Sequence, residues 1–461
     1  MRLPAIDAPP GEPYSAIRST SQRYFPPCDV LVHRSSLLVT SVTATPPLAG
    51  TSTAATATKT ALLLFEPPDG GVTENVLQLA LRIRSERWSV VVAGPDVSNI
   101  RIRLEAEGIE YIAIDRLRRG FGRPLDDIAA MRQVRQLITE RRFDVVHTHS
   151  SKAGFIGRLT ASRAGVPAVY TPHCFGFVGD VSTKRKLFAL GLERWLGRYT
   201  SGLLCVSDAE RRLAMRHHIA KAERIRHIRH GVDCGGRDVA AQELLDFKGD
   251  GLLVGAVTVL REQKRLDVLL DAIPAVLERM PTARFAIVGN GPMEDELRAQ
   301  ADRMGLIERG AVKFFTFTPP STRYLKALDI YVLPSAWEAM PIGALEALAC
   351  GVPQVASAVD GMNEIVTGDT GVLVEPKSVE SLTAALIALL TDDDRRARAA
   401  AASRQRGIEM FQLDDMVDQT VDFYEQCIER SGLGATAAPE DETGGPWKFR
   451  DPARVTRSTS F

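Results

Sequence analysis

The sequence lacks a surplus of either charge, because 57 lysines and arginines balance 57 aspartates and glutamates over 461 residues. A protein that binds nucleic acid through its phosphates needs a basic face, so the balance argues against nucleic acid as a partner. The sequence also lacks an apolar run of the roughly 18 to 20 residues that a membrane span requires. No compact apolar stretch with a cleavage site stands near residue 1, so we expect no signal peptide.

Cysteines are few, and their spacing forms no CxxC pair and no pattern typical of a metal site. Scattered cysteines of this kind indicate buried thiols in a reducing compartment rather than a disulfide framework. The sequence also lacks a persuasive Asp-x-Asp metal pair, and we therefore expect a cytoplasmic protein with no metal. The six cysteines are Cys28, Cys174, Cys205, Cys234, Cys350 and Cys427.

The two terminal segments differ in composition from the rest of the chain. Residues 1–59 are rich in Ser, Thr, Ala and Pro and contain few large apolar residues. Such a segment buries too little apolar surface to offset the entropy of ordering it. We interpret residues 1–59 as a disordered leader, either a genuine extension or a mis-assigned start, and residues 434–461 as a disordered tail.

Between these segments, short apolar runs alternate with helical patterns many times. Runs such as "SVVVAG", "DVVHTH", "LVGAVTV" and "DIYVLP" do not alternate polar and apolar residues, which is typical of strands covered on both faces. Repeated strand–helix alternation predicts parallel sheets in doubly wound layers. The strands are too many for one sheet, so we predict two.

The predicted boundary lies in a stretch rich in Gly and Asp near residues 231–250. We predict an α/β protein with two Rossmann-like domains, residues 60–240 and 241–412, and a helix at 413–433 that crosses back to the first domain. Parallel sheets bind ligands beyond the carboxyl ends of their strands. Two such domains facing each other would place both of these edges on one interdomain cleft.

The stretch "WEAMPIGALEALACG", residues 337–351, places two glutamates on either side of a Met-Pro-Ile-Gly turn. Pro341 favours the start of a helix, whose first turn exposes unpaired N–H groups and a partial positive charge that binds anions. A diphosphate at that end would suit a nucleotide-sugar, with Glu338 facing the sugar and Glu346 accepting hydrogen bonds from ribose. A capped helix with two solvated glutamates is the alternative that this motif alone leaves open.

Several motifs, taken together and in order, resemble those of family 4 retaining glycosyltransferases, which share the two-domain GT-B fold. The resemblance implies transfer of a sugar from a nucleotide-diphosphate sugar, UDP- or GDP-linked, to a hydroxyl of a glycan or lipid-linked acceptor. It also implies a place in envelope, exopolysaccharide or glycolipid synthesis, with no cofactor. The motifs extend over residues 60 to about 430 and are "LFEPPDGGVTENVLQLA", "FDVVHTHSSKAGFIGRLTASRAGVPAVYTPHCFGF", "VSDAERRLAM", "IRHGVD", "VLREQKRLDVLL", "IVGNGPMEDEL" and "LPSAWEAMPIGALEALACGVPQVAS".

The resemblance implies a donor site formed mainly by the second domain. Lys264 would pair with the leaving diphosphate, and Arg261 would assist from the same loop, with a plain surface charge as the alternative for Arg261. Glycine loops would let the backbone approach the donor closely, although each glycine alone could equally serve a tight turn. The expected donor-binding residues are Gly70, Gly71, Gly289, Gly291, Ala339, Met340, Pro341, Ile342 and Glu346.

Two histidines lie two residues apart on a predicted strand, so His147 and His149 point to one face. We expect no zinc there, because no third ligand stands at a suitable spacing. We expect His149 to contact the donor sugar, since it is nearer the carboxyl end of the strand, and His147 to be a core residue. Asn75 and His173 are the candidates for the acceptor side of the cleft.

Three positions depart from the family's pattern. Val259 stands where most members have an arginine, five residues before the lysine, and Ala339 and Thr316 replace glycines. The two larger side chains would narrow the nucleotide pocket and affect the choice of base more than the reaction. A non-catalytic nucleotide-sugar-binding partner subunit therefore stays an alternative, as does a nucleotide-sugar epimerase of the same fold.

Residues 183–200, "TKRKLFALGLERWLGRYT", combine basic residues with Leu, Phe and Trp at helical spacing. Such a helix can rest on an anionic membrane. We favour an ordinary domain helix whose apolar stripe packs inward. Contact with the inner face of the membrane stays open.

Overall fold

The computed structural model describes residues 58–432, apart from residues 69, 86, 97, 119, 121, 122 and 237. The predicted tail lies outside these residues, and so does the predicted leader up to residue 57. Lys59, which we had assigned to the leader, begins the first strand of the fold.

The first domain is built on a parallel sheet of seven strands, in the order β3-β2-β1-β4-β5-β6-β7. Residues 61–65 of β1 are fully buried without interruption, as expected for a strand covered by helices on both faces. The strands are β1 (Lys59–Phe65), β2 (Trp88–Gly94), β3 (Glu110–Ala113), β4 (Val145–His149), β5 (Ala168–Thr171), β6 (Gly202–Cys205) and β7 (Ile225–His227). The helices are α1 (Gly71–Ile83), α2 (Ser98–Ala106), α3 (Pro124–Glu140), α4 (Ser151–Arg163), α5 (Thr183–Leu196) and α6 (Asp208–Arg216).

The second domain repeats this plan with six parallel strands, in the order β10-β9-β8-β11-β12-β13. These strands are β8 (Leu253–Val257), β9 (Arg284–Val288), β10 (Val312–Phe315), β11 (Ile330–Leu333), β12 (Gln354–Ser357) and β13 (Gly371–Val374). The remaining helices are α7 (Gln242–Lys248), α8 (Leu266–Arg279), α9 (Glu294–Arg303), α10 (Thr322–Leu325), α11 (Ile342–Ala349), α12 (Met362–Ile365), α13 (Val379–Leu390), α14 (Asp393–Met410) and α15 (Leu413–Ser431).

Apolar spacing explains the helices that cover the sheets. In α8 the buried positions Leu266, Leu269, Leu270 and Ile273 follow the i, i+3, i+4, i+7 pattern of one helix face. That face packs in a core formed with β8, β9 and α13. None of the helices among the described residues is both long and apolar enough to cross a membrane.

The predicted α/β class with two doubly wound parallel sheets is confirmed. Two strands that the sequence did not reveal, β7 and β13, are the outermost strands of their sheets. Edge strands of three or four residues, partly exposed, carry too little apolar pattern to be recognised. The structure also places α7 inside the stretch that we had interpreted as the break between domains.

Both sheets reverse their strand order at one point, between β1 and β4 in the first and between β8 and β11 in the second. Sheets of this kind bind ligands outside the carboxyl ends of the strands at that point. The loop after β1 reaches the second domain there, because an ideal Cβ on Gly71 would lie 3.7 Å from Ile342 at the start of α11. The two switch points therefore face the same space.

The chain passes between the two halves twice, and the two passages lie side by side. The amide of Val232 donates a 2.9 Å hydrogen bond to the Phe411 carbonyl, and Val232 pairs with Gln412 in an isolated parallel bridge. Immediately afterwards α15 packs against α1 and β4. Gly231 is tightly enclosed, since an added Cβ would lie 2.4 Å from the Gln412 carbonyl oxygen.

We expect Gly231→Ala to lower the free energy of unfolding by about 1–3 kcal/mol, the usual cost of overpacking a tightly packed position. The obstacle is backbone, which cannot rotate away as a flexible side chain can. Urea denaturation provides the measurement. Gly191→Ala in α5 is the matched control, because nothing lies within 4 Å of its added Cβ, and alanine is the better helix former. Equal stability of the two variants would contradict this account of the crossing.

Candidate active site at the two switch points

The centre of the site is an ion pair between the loops that follow β8 and β11. Lys264 Nζ lies 2.5 Å from Glu338 Oε1, and the Ser335 hydroxyl donates to the same oxygen at 2.7 Å. The two charged side chains are only 14% and 7% exposed, so each depends on the other for compensation. The structure thus brings together the lysine and the first glutamate predicted from the sequence.

A second set of bonds joins the same two loops. Gln263 donates from its side chain to the Trp337 carbonyl at 2.7 Å and accepts the Ala336 amide on its own carbonyl at 2.8 Å. Gln263 and Lys264 belong to one 3₁₀ turn, Glu262–Lys264, whose last amide donates to the Arg261 carbonyl. Together these hydrogen bonds fix the position of Lys264 relative to Glu338.

The first domain contacts both of these loops. Trp337 packs against Gly179, where an added Cβ would lie 2.8 Å from the indole ring. On the other side, an added Cβ on Gly70 would lie 3.6 Å from the methyl group of Val259. Gly70 also has a φ of +82°, a conformation that favours glycine. Val259, the position of one family departure, therefore forms part of the wall facing the first domain.

The predicted helix after the Met-Pro-Ile-Gly turn is α11, which begins at Ile342 directly after Pro341. Met340 and Ile342 are buried and Ala339 is partly buried in the main core, so they shape the turn by packing. The Glu338 carbonyl accepts the Gly361 amide at 3.1 Å, which ties the turn to the segment before α12. Direct donor contacts by these residues stay predictions.

Glu346 lies on the second turn of α11 and is half-buried. Burial raises the pKa of its carboxyl group to about 7, a hydrogen bond with Ser321 opposes the shift, and the charge of Glu74 on α1 adds to it. Glu74 belongs to the first domain, so Glu346 also faces the space between the domains.

The second glycine loop has a packing function that the sequence left open. Added Cβ atoms on Gly289 and Gly291 would lie 1.9 Å and 2.3 Å from the carbonyl oxygens of Thr258 and Leu260. The glycines thus allow the turn after β9 to pass against the strand end that leads into Arg261 and Lys264. Their predicted contact with the donor stays a prediction.

Thr316, the third departure from the family pattern, lies in the loop after β10. The side chain of Asn290 accepts the Phe317 amide at 2.9 Å, and the Tyr324 hydroxyl contacts Thr318 at 2.9 Å. This loop is therefore held by the glycine loop on one side and by α10 on the other.

Four histidines gather at the carboxyl edge of the first sheet, of which His173 is half-buried and the other three are buried. His147 contacts Tyr424 at 2.6 Å and Thr171 at 2.8 Å, in agreement with the core function expected for it. Nδ1 of His149 lies 2.9 Å from Nε2 of His173, and Nδ1 of His173 lies 3.3 Å from Nε2 of His230. The sequence alone does not mark His230 as a site residue, since His230 lies in a loop with no partner nearby in the sequence.

Asn75, predicted on the acceptor side, is buried in α1, and its amide nitrogen lies 3.1 Å from Nδ1 of His230. The structure thus gives Asn75 an internal partner, and a contact with the acceptor stays a prediction. Burial lowers the pKa of His230 to about 4 and that of His147 to about 3. Burial also lowers the pKa values of His149 and His173 well below 6.5. All four imidazoles are therefore neutral near pH 7.

We expect Glu346→Gln to stabilise the protein above pH 4.5. The folded protein holds a proton on Glu346 up to about pH 7, whereas an ordinary glutamate loses it near 4.5. Ionisation therefore costs stability as the pH rises through this window. The difference in Tm between variant and wild type should grow from pH 4.5 to about 7 and then stay constant. Glu308→Gln, at an exposed position, is the matched control; an unchanged or lower Tm for Glu346→Gln at pH 8 would contradict the expectation.

Each half of the chain matches a known protein family. Residues 70–231 match the family described as Glycosyl transferase 4-like domain, and residues 251–392 match Glycosyl transferases group 1. The chain is 30% identical over 312 residues to the UDP-Gal:alpha-D-GlcNAc-diphosphoundecaprenol alpha-1,3-galactosyltransferase of Escherichia coli, covering 65% of this chain and 80% of that enzyme. It is 31% identical over 402 residues to the phosphatidyl-myo-inositol mannosyltransferase of Mycolicibacterium smegmatis, covering 83% of this chain and 97% of that enzyme.

The solved structures support the same fold. The crystal structure of Anabaena Alr3699/HepE in complex with UDP and glucose matches with a TM-score of 0.69 at 22% identity, covering 80% of this chain and all of the other. The predicted GT-B fold is confirmed by this likeness. Together the two family matches and the relatives show that the chain belongs to the group 1, family 4-like glycosyltransferases.

Proposed function

We propose that the protein transfers a sugar from a nucleoside diphosphate sugar to an acceptor hydroxyl with retention of the anomeric configuration. The observation that carries the proposal is the pairing of Lys264 with Glu338 at the switch point of the second sheet, directly before α11. A cation, a carboxylate and the amino end of a helix thus lie close together, and this combination supports the binding of a phosphorylated sugar.

In the proposed reaction the bond between the anomeric carbon and the diphosphate oxygen breaks. The acceptor oxygen bonds to that carbon on the same face, and its proton passes to the departing diphosphate. Charge builds on the diphosphate, and Lys264, Arg261 and the first turn of α11 would stabilise it. Because these fixed charges meet the need, we propose that the transfer requires no metal ion.

Glu338 would act on the sugar rather than on the phosphates. Its carboxylate already holds Lys264 and Ser335, so the loop is set before the donor arrives. Beside the sugar, this carboxylate would orient the hydroxyl groups and support positive character at the anomeric carbon. No protein nucleophile is then needed for retention.

The identities of the donor and the acceptor follow by analogy from the relatives. The similar enzyme of Escherichia coli is named for UDP-Gal and a diphosphoundecaprenol acceptor, and that of Mycolicibacterium smegmatis for phosphatidyl-myo-inositol. We propose a UDP- or GDP-sugar as donor and a glycan or lipid-linked acceptor in envelope, exopolysaccharide or glycolipid synthesis. A thermal-shift screen of UDP-, GDP- and ADP-sugars identifies the base, because a ligand at 100 times its Kd adds about 2.7 kcal/mol of stability.

Turnover assays with the donor that the screen selects separate the proposal from its two alternatives. An epimerase would convert the selected donor into its epimer without an acceptor, which one chromatogram would show. A non-catalytic partner subunit would bind the donor and release no nucleoside diphosphate with any acceptor.

We expect Lys264→Met to lower kcat about 10- to 150-fold, since a charge-assisted bond to the leaving group contributes about 1.5–3 kcal/mol. Methionine keeps the length of the side chain and removes its charge. Steady-state transfer of labelled sugar is the measurement, and Lys221→Met is the matched control because Lys221 is exposed. Unchanged turnover in Lys264→Met would show that Lys264 does not stabilise the departing diphosphate.

We further propose that α5 rests on an anionic membrane. The inward packing that we had favoured for its apolar stripe is wrong for three residues, because Leu187, Phe188 and Trp195 are 65%, 67% and 38% exposed. Phe188 and Trp195 are seven residues apart and so lie on one face. The exposed basic residues of the helix and the turn after it would meet anionic lipid and are Lys184, Arg185, Lys186, Arg194 and Arg198.

We expect the double substitution Leu187→Glu with Phe188→Glu to weaken binding to phosphatidylglycerol vesicles at least tenfold. Burying each side chain in the bilayer surface contributes about 1.5–3 kcal/mol, and the added carboxylates repel the lipid. Co-sedimentation with vesicles is the measurement. Val239→Glu changes an exposed apolar residue elsewhere and is the control. Equal sedimentation of wild type and double variant would refute the membrane contact.

A further inference from the structure

Three of these histidines form a continuous row that begins at Asn75 and passes through His230 and His173 to His149. Each contact in the row joins Nδ1 of one imidazole to Nε2 of the next, at 2.9 Å between His149 and His173 and 3.3 Å between His173 and His230. The ring planes are only 25° and 16° apart and the ring centroids lie 5.2 Å apart in both pairs, a geometry that is compatible with bonds in the plane of the rings. The row is therefore connected head to tail.

The hydrogen bonds between the rings of such a row can all point toward Asn75 or all point away from it. Each neutral imidazole carries one proton, and both contacts are satisfied if all protons sit on Nε2 or if all sit on Nδ1. Burial keeps the rings neutral, since it lowers the pKa values of all three. Only a group at one end can select the direction.

Asn75 is that group. Its amide nitrogen lies 3.1 Å from Nδ1 of His230 and 3.5 Å from the sulfur of Met416. A thioether sulfur only accepts hydrogen bonds, so the NH₂ group rather than the carbonyl oxygen belongs on this side of Asn75. Nδ1 of His230 must then accept, and His230 carries its proton on Nε2.

The remaining protons follow from this end. His230 donates to Nδ1 of His173, His173 donates to Nδ1 of His149, and His149 carries its proton on Nε2. That Nε2 atom is buried and has no hydrogen-bond partner within the described part of the chain. A buried polar group of this kind calls for a partner, and here the chain supplies an N–H at the carboxyl end of β4, next to the end of β1.

We propose that Asn75, His230 and His173 are positioning residues, which hold His149 in the Nε2–H tautomer and so present a hydrogen-bond donor to an oxygen of the transferred sugar. The sugar contact rests on the proposed function, whereas the direction of the row is a property of the free protein. Asn75 thus acts through two rings, those of His230 and His173, on a residue that it does not touch.

The direction of the row can be measured without donor or acceptor. Full-length protein with ¹⁵N-labelled histidine gives long-range ¹H–¹⁵N correlations that distinguish a protonated from an unprotonated ring nitrogen. Single His→Gln variants assign the signals. We expect His149, His173 and His230 each to be neutral with the proton on Nε2 at pH 7.5. A proton on Nδ1 in any of the three, or on both nitrogens, overturns the proposal.

The control by Asn75 is tested with Asn75→Leu, which keeps the branched shape and removes the donor. We expect the ratio of the Nε2–H tautomer of His149 to its Nδ1–H tautomer to fall about fivefold. This is the change that corresponds to the loss of one neutral hydrogen bond. Tyr424→Phe is the matched control, because it removes the 2.6 Å contact of His147 and leaves the row intact. An unchanged ratio in Asn75→Leu would contradict the assignment of Asn75.

Two readouts separate this inference from the proposed function. If the tautomers are as expected but no sugar nucleotide turns over, the row stands and the proposed transfer fails. If transfer occurs but the tautomers differ from those expected, the proposed transfer stands and the proposed direction of the row is wrong.

Discussion

The contact between Lys264 and Glu338 is the constraint on which the rest of the site depends. Both groups are nearly excluded from water, and removal of either would leave a buried charge without compensation. The pair therefore holds the loops after β8 and β11 together before any substrate binds. In the proposed reaction Lys264 would share its charge between the carboxylate and the phosphates, so the donor would meet a site that needs little rearrangement.

The two domains contribute different chemistry through the same topology. Each sheet has its switch point between the first and fourth strands of its own series, and each places its functional loops there. The second domain supplies cations and the start of α11, which suit phosphates, and a carboxylate, which we propose acts on the sugar. The first domain supplies neutral imidazoles and a glycine loop, which suit sugar hydroxyls and close approach. The contacts of Gly70 with Val259 and of Gly179 with Trp337 bring these two halves into one site.

Much of the fold could be predicted from the sequence, because parallel strands buried on both faces form runs that are visible one at a time. The proximity of Glu338 and Lys264 could also be predicted, since each lies in a local motif with a recognisable strand before it. The two edge strands, β7 and β13, were missed because they are short and partly exposed. The exposure of Leu187 and Phe188 was also missed, since helical spacing defines an apolar face without saying which way that face turns.

The histidine row shows a different limit. Asn75 and His230 are 155 residues apart, and only the parallel order of β1, β4 and β5 brings His149 and His173 to the same edge. A single histidine in "IRHGVD" has no periodic pattern and no neighbouring partner that would mark it. Its function is visible only when the direction of three consecutive hydrogen bonds is traced in space. The glycines after β9 are similar, because their closest neighbours belong to another loop.

The most direct test of the account is a crystal structure of the full-length protein with the nucleoside diphosphate of its donor bound. The account predicts a phosphate oxygen about 2.7–2.9 Å from Lys264 Nζ. It also predicts the phosphates at the first turn of α11 and the Glu338 carboxylate beside the terminal phosphate, where the sugar of the donor would be attached. Phosphates bound elsewhere, with the contact between Lys264 and Glu338 closed and untouched, would contradict it.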